Sequence, residues 1–466
     1  MKIAFHGAAQ TVTGSKHLVT LNTGKKFLLD CGMFQGMGQE TDKLNRNWGF
    51  NPAEINYVLL SHAHVDHCGL LPKLVKDGFK GNIYATPATI DIVKVLLLDS
   101  AAIQNQDITF VNKKRREEGE ELLEPIYTEE DVYRTFDHFK AVHYHQPVQI
   151  DDSVQLQFFD VGHIVGSSAI YLVLKENGKT ARLLFSGDVG RYGDPILHSP
   201  ETFPPIDYLI IESTYGDRLH DKIETYAVDL LKNIENTCLK KKGKLIIPAF
   251  SVGRTQELLY SLNDLELDNK LPPVDYYVDS PLSVKVTEIV KRHPECFNRS
   301  LQKLLKIDRD PFYFRGLKYI TDKRDSQALN TNFKPSVIIS ASGMAEAGRV
   351  KHHIANSIEN WRNTIMIIGY CEPESLGARL KKRPETLGIF GEQFTVKADI
   401  VVFNSMSAHA DYNDLSQYLA CVDSSDITRV FIVHGEPEVQ EEFKRRLLKK
   451  GFRDIEIPKL HQEFGL

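Results

Sequence analysis

Four side chains of the types that bind metal ions stand within six positions early in the chain: His62, His64, Asp66 and His67. The apolar run just before them, residues 56–60, predicts a buried strand, so the four side chains follow a strand end. Where the chain is still extended, its two-residue period points His62 and His64 in one direction, toward one metal. The adjacent pair Asp66 and His67 cannot share that direction and is available to a second metal.

Three further candidate ligands follow predicted strands later in the chain, and these are His163, Asp188 and His434. Each alone is weak evidence, because a histidine or aspartate at a strand end is usually a structural or surface residue. Together they complete a set, since two neighbouring cations need about seven nitrogen or oxygen ligands with one carboxylate shared between them. The predicted metal ligands are therefore His62, His64 and His163, then Asp66, His67 and His434, with Asp188 as the bridge.

Length and composition are those of a large soluble globular protein. The 466 residues suggest two or three domains, and 42% hydrophobic and 26% charged residues are ordinary values. No apolar run reaches the about 18 residues of a membrane-spanning helix, and the first residues lack a secretory signal, so we expect a cytoplasmic protein. The six cysteines form no C-x-x-C pair, which indicates neither a disulfide framework nor a thiolate zinc site. The net charge of -5 does not by itself indicate a nucleic-acid-binding protein.

Strand and helix signals divide the chain into two patterns. Up to about residue 207, short apolar strands alternate with turns, and the charged segment 90–138 is predicted to be helical. Between about 213 and 394, strands alternate with helices, which predicts a parallel sheet with helices on its faces and hence a separate domain. Apolar strands at 399–403 and 429–433 follow, and both lead toward histidines.

In order along the chain, the candidate ligands resemble the motifs of the metallo-β-lactamase fold: His62-x-His64-x-Asp66-His67, His163, and Asp188 in Ser186-Gly187-Asp188. The resemblance extends to the β-CASP nucleases, whose motifs A, B and C are matched by Glu212, His409 and His434. It implies a mixed α/β protein, an αββα metallo-β-lactamase sandwich with an inserted α/β β-CASP domain. The implied boundaries are 1–212 and 395–466 for the two parts of the metallo-β-lactamase domain and 213–394 for the β-CASP domain.

The same resemblance implies a zinc-dependent ribonuclease that hydrolyses phosphodiester bonds of single-stranded RNA, in RNA processing or degradation. The implied cofactors are two Zn²⁺ ions, which Mn²⁺ could replace, and the nucleophile is a metal-bridging hydroxide that Asp66 orients. His409 is the implied general acid, held and kept protonatable by Glu212. Asp30 matches the family's first motif and is expected to orient a ligand rather than to bind metal. The motifs leave open endonuclease or 5′-exonuclease action and a homodimer.

A second set of residues is a candidate for binding substrate phosphates. Residues 340–349 follow a strand and precede a helix, where the backbone amides of Ser342 and Gly343 could bind a phosphate, with Arg349 or Arg254 as further donors. By spacing alone, an ordinary strand-to-helix turn is favoured over a phosphate site. Ser407 in motif B completes this candidate set.

Two other functions are compatible with the same metal ligands. One is a small-molecule hydrolase acting on an ester, thioester or lactone, and the other is a non-catalytic RNA-processing scaffold. The long insertion and the Glu212 and His409 pair favour the nuclease, because a small ester needs neither a large insertion nor an acid for an alkoxide leaving group. The chain ends about 30 residues after His434, so we expect neither the C-terminal domain of ribonuclease J enzymes nor, at the start, the KH domains of archaeal relatives.

Overall fold

A computed structural model describes residues 1–38, 40–220, 226–369, 371–372, 374–403 and 407–466. The chain forms two compact units, which are described separately. The sandwich unit comprises Met1–Asp194, His198–Leu219 and His409–Leu466. The inserted unit comprises Pro195–Leu197 and His220–Ala408.

The strands are short, and most are buried. In chain order they are β1 (Lys2–Phe5), β2 (His17–Thr20), β3 (Lys26–Leu29), β4 (Tyr57–Leu59), β5 (Asn82–Ala85), β6 (Phe139–Ala141), β7 (Val148–Asp151), β8 (Val154–Asp160), β9 (Ser168–Glu176), β10 (Lys179–Phe185), β11 (Tyr208–Ile211), β12 (Lys244–Pro248), β13 (Asp275–Val278), β14 (Leu317–Tyr319), β15 (Ser336–Ser340), β16 (Thr364–Ile368), β17 (Thr386–Ile389), β18 (Glu392–Thr395), β19 (Asp399–Phe403), β20 (Arg429–Ile432), β21 (Ile455–Glu456) and β22 (Glu463–Gly465).

The α-helices of the described residues vary in length from one turn to almost nine turns. In chain order they are α1 (Glu40–Arg46), α2 (Val65–Cys68), α3 (Leu71–Lys76), α4 (Pro87–Glu118), α5 (Glu129–Phe136), α6 (Tyr226–Ile234), α7 (Arg254–Leu267), α8 (Pro281–Lys291), α9 (Arg299–Leu304), α10 (Lys323–Thr331), α11 (Arg349–Ser357), α12 (Leu376–Lys381), α13 (Tyr412–Tyr418) and α14 (Pro437–Lys449). The predicted helical segment 90–138 is thus two helices, α4 and α5. Among the described residues, no helix is both long and apolar enough to cross a membrane.

The sandwich unit contains two seven-stranded sheets. Their strand orders are β22-β1-β2-β3-β4-β5-β6 and β21-β20-β11-β10-β9-β8-β7. Along β8, alternate side chains Val154, Leu156 and Phe158 enter one core with Phe27 and Leu29 of β3, because a strand points every second side chain to the same face. The core therefore lies between the two sheets.

Helices cover the outer faces of these sheets. On the second sheet, Leu184 of β10 and Leu209 of β11 pack with Leu415 of α13 and Phe443 of α14. On the side of the first sheet, α4 contacts β6 and buries an apolar stripe on its first three turns. The resulting order of layers is the αββα sandwich that the resemblance implied.

The strands that precede the candidate site end at one edge of the sandwich unit. Within the first sheet β3 and β4 are parallel, and within the second β10 is parallel to β11 and β11 to β20. Strands β8 and β10 both pair antiparallel with β9, so they too run in the same direction. The residues that follow these strand ends are Asp30, His62, His163, Asp188, Glu212 and His434.

The inserted unit is built on a six-stranded parallel sheet with the order β14-β13-β15-β12-β16-β19. Strands β12, β15 and β16 are buried along their whole length, as expected for a sheet with helices on both faces. The predicted parallel sheet is therefore confirmed. A separate two-stranded hairpin joins β17 to β18.

The strand predicted at 399–403 joins the parallel sheet of the inserted unit. It is β19, which pairs in parallel with β16 from Thr364 and Asp399 to Ile368 and Phe403. Among the described residues, 395–403 and 407–408 accordingly group with the inserted unit, and the domain boundary expected after residue 394 stays a prediction. An apolar strand signal shows that a strand forms but not which sheet it joins, because the pairing is made with residues distant in sequence.

Candidate metal centre

One group of potential ligand atoms contains His62, His64, His163 and Asp188. His64 Nδ1 lies 3.1 Å from His62 Nε2 and 3.2 Å from His163 Nε2. Asp188 Oδ2 lies 3.4 Å from His62 Nε2 and 3.6 Å from His163 Nε2. Histidines 62, 163 and the carboxylate are fully buried, so the group is closed to bulk water on most sides.

A second group contains Asp66, His67 and His434, and it also reaches Asp188. His434 Nε2 lies 3.3 Å from His67 Nε2 and 3.2 Å from Asp66 Oδ2. Asp188 Oδ2 lies 3.3 Å from His67 Nε2, so the same oxygen borders both groups. The structure thus brings together all seven side chains that the sequence put forward as ligands, in the two predicted sets.

These separations match the geometry of a metal site. Four ligands placed tetrahedrally at about 2.0 to 2.1 Å from a zinc ion are about 3.3 Å from one another. The nitrogen and oxygen distances within the two groups are 3.1 to 3.7 Å. A shared Asp188 oxygen is the arrangement expected of a carboxylate that bridges two ions.

The environment of Asp188 also fits a site that binds cations. Its side chain is 1% exposed, and neither oxygen accepts a hydrogen bond from any of the described residues. A buried carboxylate without hydrogen bonds is costly unless a positive charge compensates it. Metal ions coordinated by this oxygen would supply that charge, so the residues present fit a metal cluster.

Hydrogen bonds behind the ligands select the histidine nitrogen that faces the cluster. Ser61 Oγ donates to Asp30 Oδ2 at 2.8 Å, so at 3.0 Å it accepts the proton of His62 Nδ1. His67 Nδ1 donates to Asp30 Oδ2 at 2.6 Å. With Nδ1 protonated, Nε2 of both rings carries the free lone pair that a metal needs.

A hydroxyl group fixes the tautomer of His434 in the same way. Thr214 Oγ1 donates to Glu212 Oε2 at 2.6 Å and lies 3.0 Å from His434 Nδ1, whose proton it therefore accepts. Ser61 and Thr214 were not singled out in the sequence. Ser61 is a hydroxyl residue next to His62, and Thr214 is a hydroxyl residue two positions after Glu212. Such patterns are too common in sequences to identify orienting residues.

Two of the site residues adopt backbone conformations that sequence does not reveal. Asp30 has φ 61° and His434 has φ 53°, in the left-handed region that side chains other than glycine rarely occupy. Such strained residues persist where surrounding contacts hold them, and they are concentrated at functional sites. Gly187, with φ 55°, precedes Asp188, and a Cβ there would lie 2.8 Å from Ser61 Cβ. The close approach to Ser61 therefore requires glycine.

Burial and charge shift the pKa values of His62 and His64 in the opposite direction from that of His67. Burial lowers the pKa of His62 well below the ordinary value and that of His64 to about 4, so both rings are neutral donors at neutral pH. Burial acts in the same direction on His67, but the carboxylates of Asp188, Asp66 and Asp30 raise its pKa well above the ordinary value. This side of the cluster therefore has an excess of negative charge that suits cations.

His409 lies beside the cluster and is paired with Glu212. His409 Nδ1 is 3.3 Å from Glu212, whose oxygens also accept from Val189 N at 2.7 Å and from Thr214. Burial alone would lower the pKa of His409, but the Glu212 carboxylate raises it above the ordinary histidine value. The side chain is 17% exposed, so it remains accessible at the rim of a buried group.

The candidate phosphate-binding residues Arg254, Ser342, Gly343 and Arg349 lie in the inserted unit, and Ser407 is buried there. The Arg349 guanidinium donates to Asp279 Oδ1 at 2.7 Å and to the carbonyl of Thr321 at 2.7 Å.

The other members of this set are also engaged within the protein. The Arg254 side chain is buried against Glu257. In the loop, Ser342 N donates to Ala347 O at 3.3 Å, and a Cβ on Gly343 would meet the ring of Phe250. Phosphate binding by these residues stays a prediction, and for both arginines the observed contacts are structural.

Family models match three successive parts of the chain. A metallo-beta-lactamase superfamily domain matches residues 18–202, a Beta-Casp domain matches 255–380, and a Zn-dependent metallo-hydrolase RNA specificity domain matches 394–458. A ribonuclease of Thermus thermophilus is 34% identical over 438 residues, which cover 94% of each chain. The chain belongs to the β-CASP ribonucleases of the metallo-β-lactamase fold. It is therefore a hydrolase whose fold and His/Asp cluster are suited to metal ions.

More distant relatives extend across the domains of life. An RNase J-like protein of Methanocaldococcus jannaschii is 29% identical, over 93% of this chain and 92% of the relative. Cleavage and polyadenylation specificity factor 73 of Drosophila melanogaster is 28% identical, over 95% of this chain and 61% of the relative. The third family model begins at residue 394, close to the boundary expected from sequence, although residues 395–403 group with the inserted unit.

Proposed function

We propose that the protein is a zinc-dependent ribonuclease that hydrolyses phosphodiester bonds of single-stranded RNA. The observation that carries the proposal is the pairing of Glu212 with His409 directly beside two ligand groups that share Asp188. The ligand groups alone suit many hydrolases of this fold. The added acid pair suits a substrate whose leaving group is a poor alkoxide, as in a phosphodiester.

The residues that would hold the metals are the two predicted sets, with Asp188 contributing to both. Bound zinc ions supply a water nucleophile at neutral pH and electrostatic stabilisation of the phosphoryl oxygens. Histidine and carboxylate ligands without thiolates suit zinc and also accept Mn²⁺, so zinc is the first choice and manganese the alternative. Asp30, Ser61 and Thr214 hold the ligand rings in the required tautomer.

Asp66, His409 and Glu212 orient the nucleophile and supply the proton for the leaving group. The attacking water loses one proton to solvent, and the Asp66 carboxylate accepts a hydrogen bond from the resulting hydroxide and orients it toward phosphorus. As the new bond to phosphorus forms and the bond to the leaving oxygen breaks, the His409 imidazolium gives its proton to that oxygen. Glu212 stabilises the charged form of His409 before the transfer, which fits the raised pKa.

The decisive experiment uses one single-stranded RNA labelled at the 5′ end in one sample and at the 3′ end in another. The zinc-loaded protein is expected to cleave it, and a chelator to stop cleavage, on a denaturing gel. A ladder of mononucleotides would indicate an exonuclease, and discrete longer fragments an endonuclease. Intact RNA with zinc bound, together with turnover of an ester or lactone, would favour the small-molecule hydrolase instead. A homodimer and a cytoplasmic location stay predictions.

A further inference from the structure

The hairpin of β17 and β18 in the inserted unit displays an aromatic ring at an unusual position. Ile389 pairs with Glu392, so Phe390 and Gly391 alone form the turn, with φ values of 55° and 81°. Two-residue turns with both φ values positive favour asparagine, aspartate or glycine at the first position. A phenylalanine there is strained, and the ring is 53% exposed rather than part of the core.

The ring of Phe390 belongs to a small aromatic and basic cluster. It stacks on the exposed ring of His352 in α11, with centroids 4.6 Å apart and an interplanar angle of 28°. Lys351 Nζ lies 5.2 Å from the Phe390 centroid. Burial, with the charges of His353, Lys323 and Lys351, lowers the pKa of His352, so its ring is neutral and suited to stacking at neutral pH.

We propose that this Phe390 cluster, defined by Phe390, His352 and Lys351, is a binding site for single-stranded RNA on the inserted unit. A base extends the stack of Phe390 and His352, and the Lys351 ammonium group contacts an adjacent phosphate. The site deepens the ribonuclease function proposed above and rests on it for the choice of ligand. It would hold RNA without reading its sequence, because every base has a face that can stack.

Charge and shape favour RNA over a protein partner at this surface. Residues 391–393 of the hairpin, Gly391, Glu392 and Gln393, are exposed and supply no apolar side chain around the ring. A protein that docks on a phenylalanine usually buries a wider apolar patch around it. A single base needs only one aromatic face and a neighbouring cation, which the cluster provides.

The test measures RNA binding by the full-length, zinc-loaded chain carrying His409→Ala, so that the oligonucleotide survives the titration. The probe is a single-stranded 12-mer RNA with one 2-aminopurine, whose fluorescence is quenched when the base stacks. We expect quenching with the parent chain, which carries only His409→Ala. Adding Phe390→Asn should abolish the quenching and lower the RNA affinity by about 5- to 100-fold. Phe390→Trp should retain both, and Lys351→Ala should reduce the slope of affinity against salt by about one ion.

The substitution Phe390→Asn also separates binding from folding. It creates an Asn-Gly turn suited to the observed backbone, so the thermal unfolding midpoint should stay constant or rise. If the ring had only a packing role on His352, the midpoint would fall instead. Phe333, which is 88% exposed on the same unit, provides the matched control, and Phe333→Asn should change neither quenching nor affinity.

The outcomes distinguish this site from the ribonuclease proposal. Equal affinity and quenching for the parent chain and Phe390→Asn, or no binding by the parent, would overturn the Phe390 cluster as an RNA site. Cleavage by the chain with native His409 is measured in parallel. If cleavage depends on zinc but replacing Phe390 changes neither RNA affinity nor quenching, only the Phe390 cluster is refuted. Quenching that depends on Phe390 in a protein that cleaves no RNA supports the cluster and refutes the ribonuclease.

Discussion

Two hydroxyl groups that are not themselves candidate ligands orient the imidazole rings of His62 and His434. Ser61 and Thr214 each give their one hydroxyl proton to a carboxylate, so each can only accept from the neighbouring histidine. This forces the ring proton onto Nδ1 and leaves Nε2 for a metal. The effect is local and does not depend on which metal binds.

Replacement of Thr214 by valine is expected to weaken metal binding without removing a ligand. The His434 Nδ1 proton loses its acceptor, and such partners typically contribute about 10- to 100-fold to metal affinity. Competition with a coloured chelator measures the change. Thr214→Ser keeps the hydroxyl and should bind metal nearly as the native protein does, and a serine variant as weak as the valine variant would contradict this role.

Replacement of His409 by alanine is expected to reduce RNA cleavage while leaving the metals in place. General acid catalysis contributes about 10²- to 10⁴-fold to rate, and His409 belongs to neither predicted ligand set. Single-turnover cleavage and metal content are measured on the same sample. Unchanged cleavage would exclude the proton-donor role, and loss of one metal ion would mean that His409 is a ligand.

At the scale of elements, Asp279 joins two helices of the inserted unit to the end of β13. The buried carboxylate accepts from Arg349 of α11 at 2.7 Å, from Ser326 of α10 at 2.5 Å, and contacts His353 Nε2 at 2.6 Å. A buried charge with this many partners is strongly destabilising when one partner is removed. The next residue, Ser280, is the N-cap of α8, so the network lies at a strand-to-helix junction.

Substitution of Arg349 by methionine is expected to destabilise the inserted unit by about 2 to 3 kcal/mol, because Asp279 loses its cationic partner. Trp361 lies in this unit, so its fluorescence in a Trp48→Phe background reports urea unfolding there. Arg349→Lys keeps one charged donor and should recover part of the loss. Unchanged stability with weaker RNA binding would instead support the predicted phosphate role of Arg349.

The same network predicts acid sensitivity of the inserted unit. Burial would raise the pKa of Asp279, but hydrogen bonds from His353, Ser326 and Arg349 lower it below the ordinary 3.8. A lowered folded-state pKa means that the stabilisation is complete above about pH 4 and is lost as pH falls through the folded value. The stability reported by Trp361 should therefore fall as the pH drops below about 4, and less so in Asp279→Asn. An equal acid response in both proteins would contradict the assignment.

At the scale of the whole molecule, the metal ligands all lie in the sandwich unit. The chain has two tryptophans, Trp48 in the sandwich unit and Trp361 in the inserted unit, so each unit carries one reporter. Ions that bind only the folded sandwich should stabilise it by mass action. Their effect on the inserted unit should be small if the two units unfold separately.

Zinc at about 100 times its dissociation constant is expected to stabilise the Trp48 transition by about 2.7 kcal/mol relative to chelator-treated protein. The Trp361 transition should remain unchanged, which single-tryptophan variants measure directly. If zinc did not change the free energy of unfolding reported by Trp48, the proposed metal centre would be contradicted. Equal shifts in both reporters would show that the two units unfold together.

Sequence alone determined the types of the ligands and the strands that carry them. The motif around His62, the apolar runs and the strand and helix alternation are local signals, set by side-chain chemistry and by periods of two or 3.6 residues. These were enough for the parallel sheet and the candidate ligands. The αββα sandwich and the roles of Glu212 and His409 came from the family resemblance.

Only the tertiary structure decided which atoms meet. His67 and His434 are 367 positions apart, and their Nε2 atoms come within 3.3 Å because β4 and β20 end at one edge of the sandwich unit. The tautomers set by Ser61 and Thr214, the sheet joined by β19 and the strained turn at Phe390 likewise depend on pairing and backbone geometry. A local pattern cannot encode such contacts, since their energy arises only when distant segments pack together.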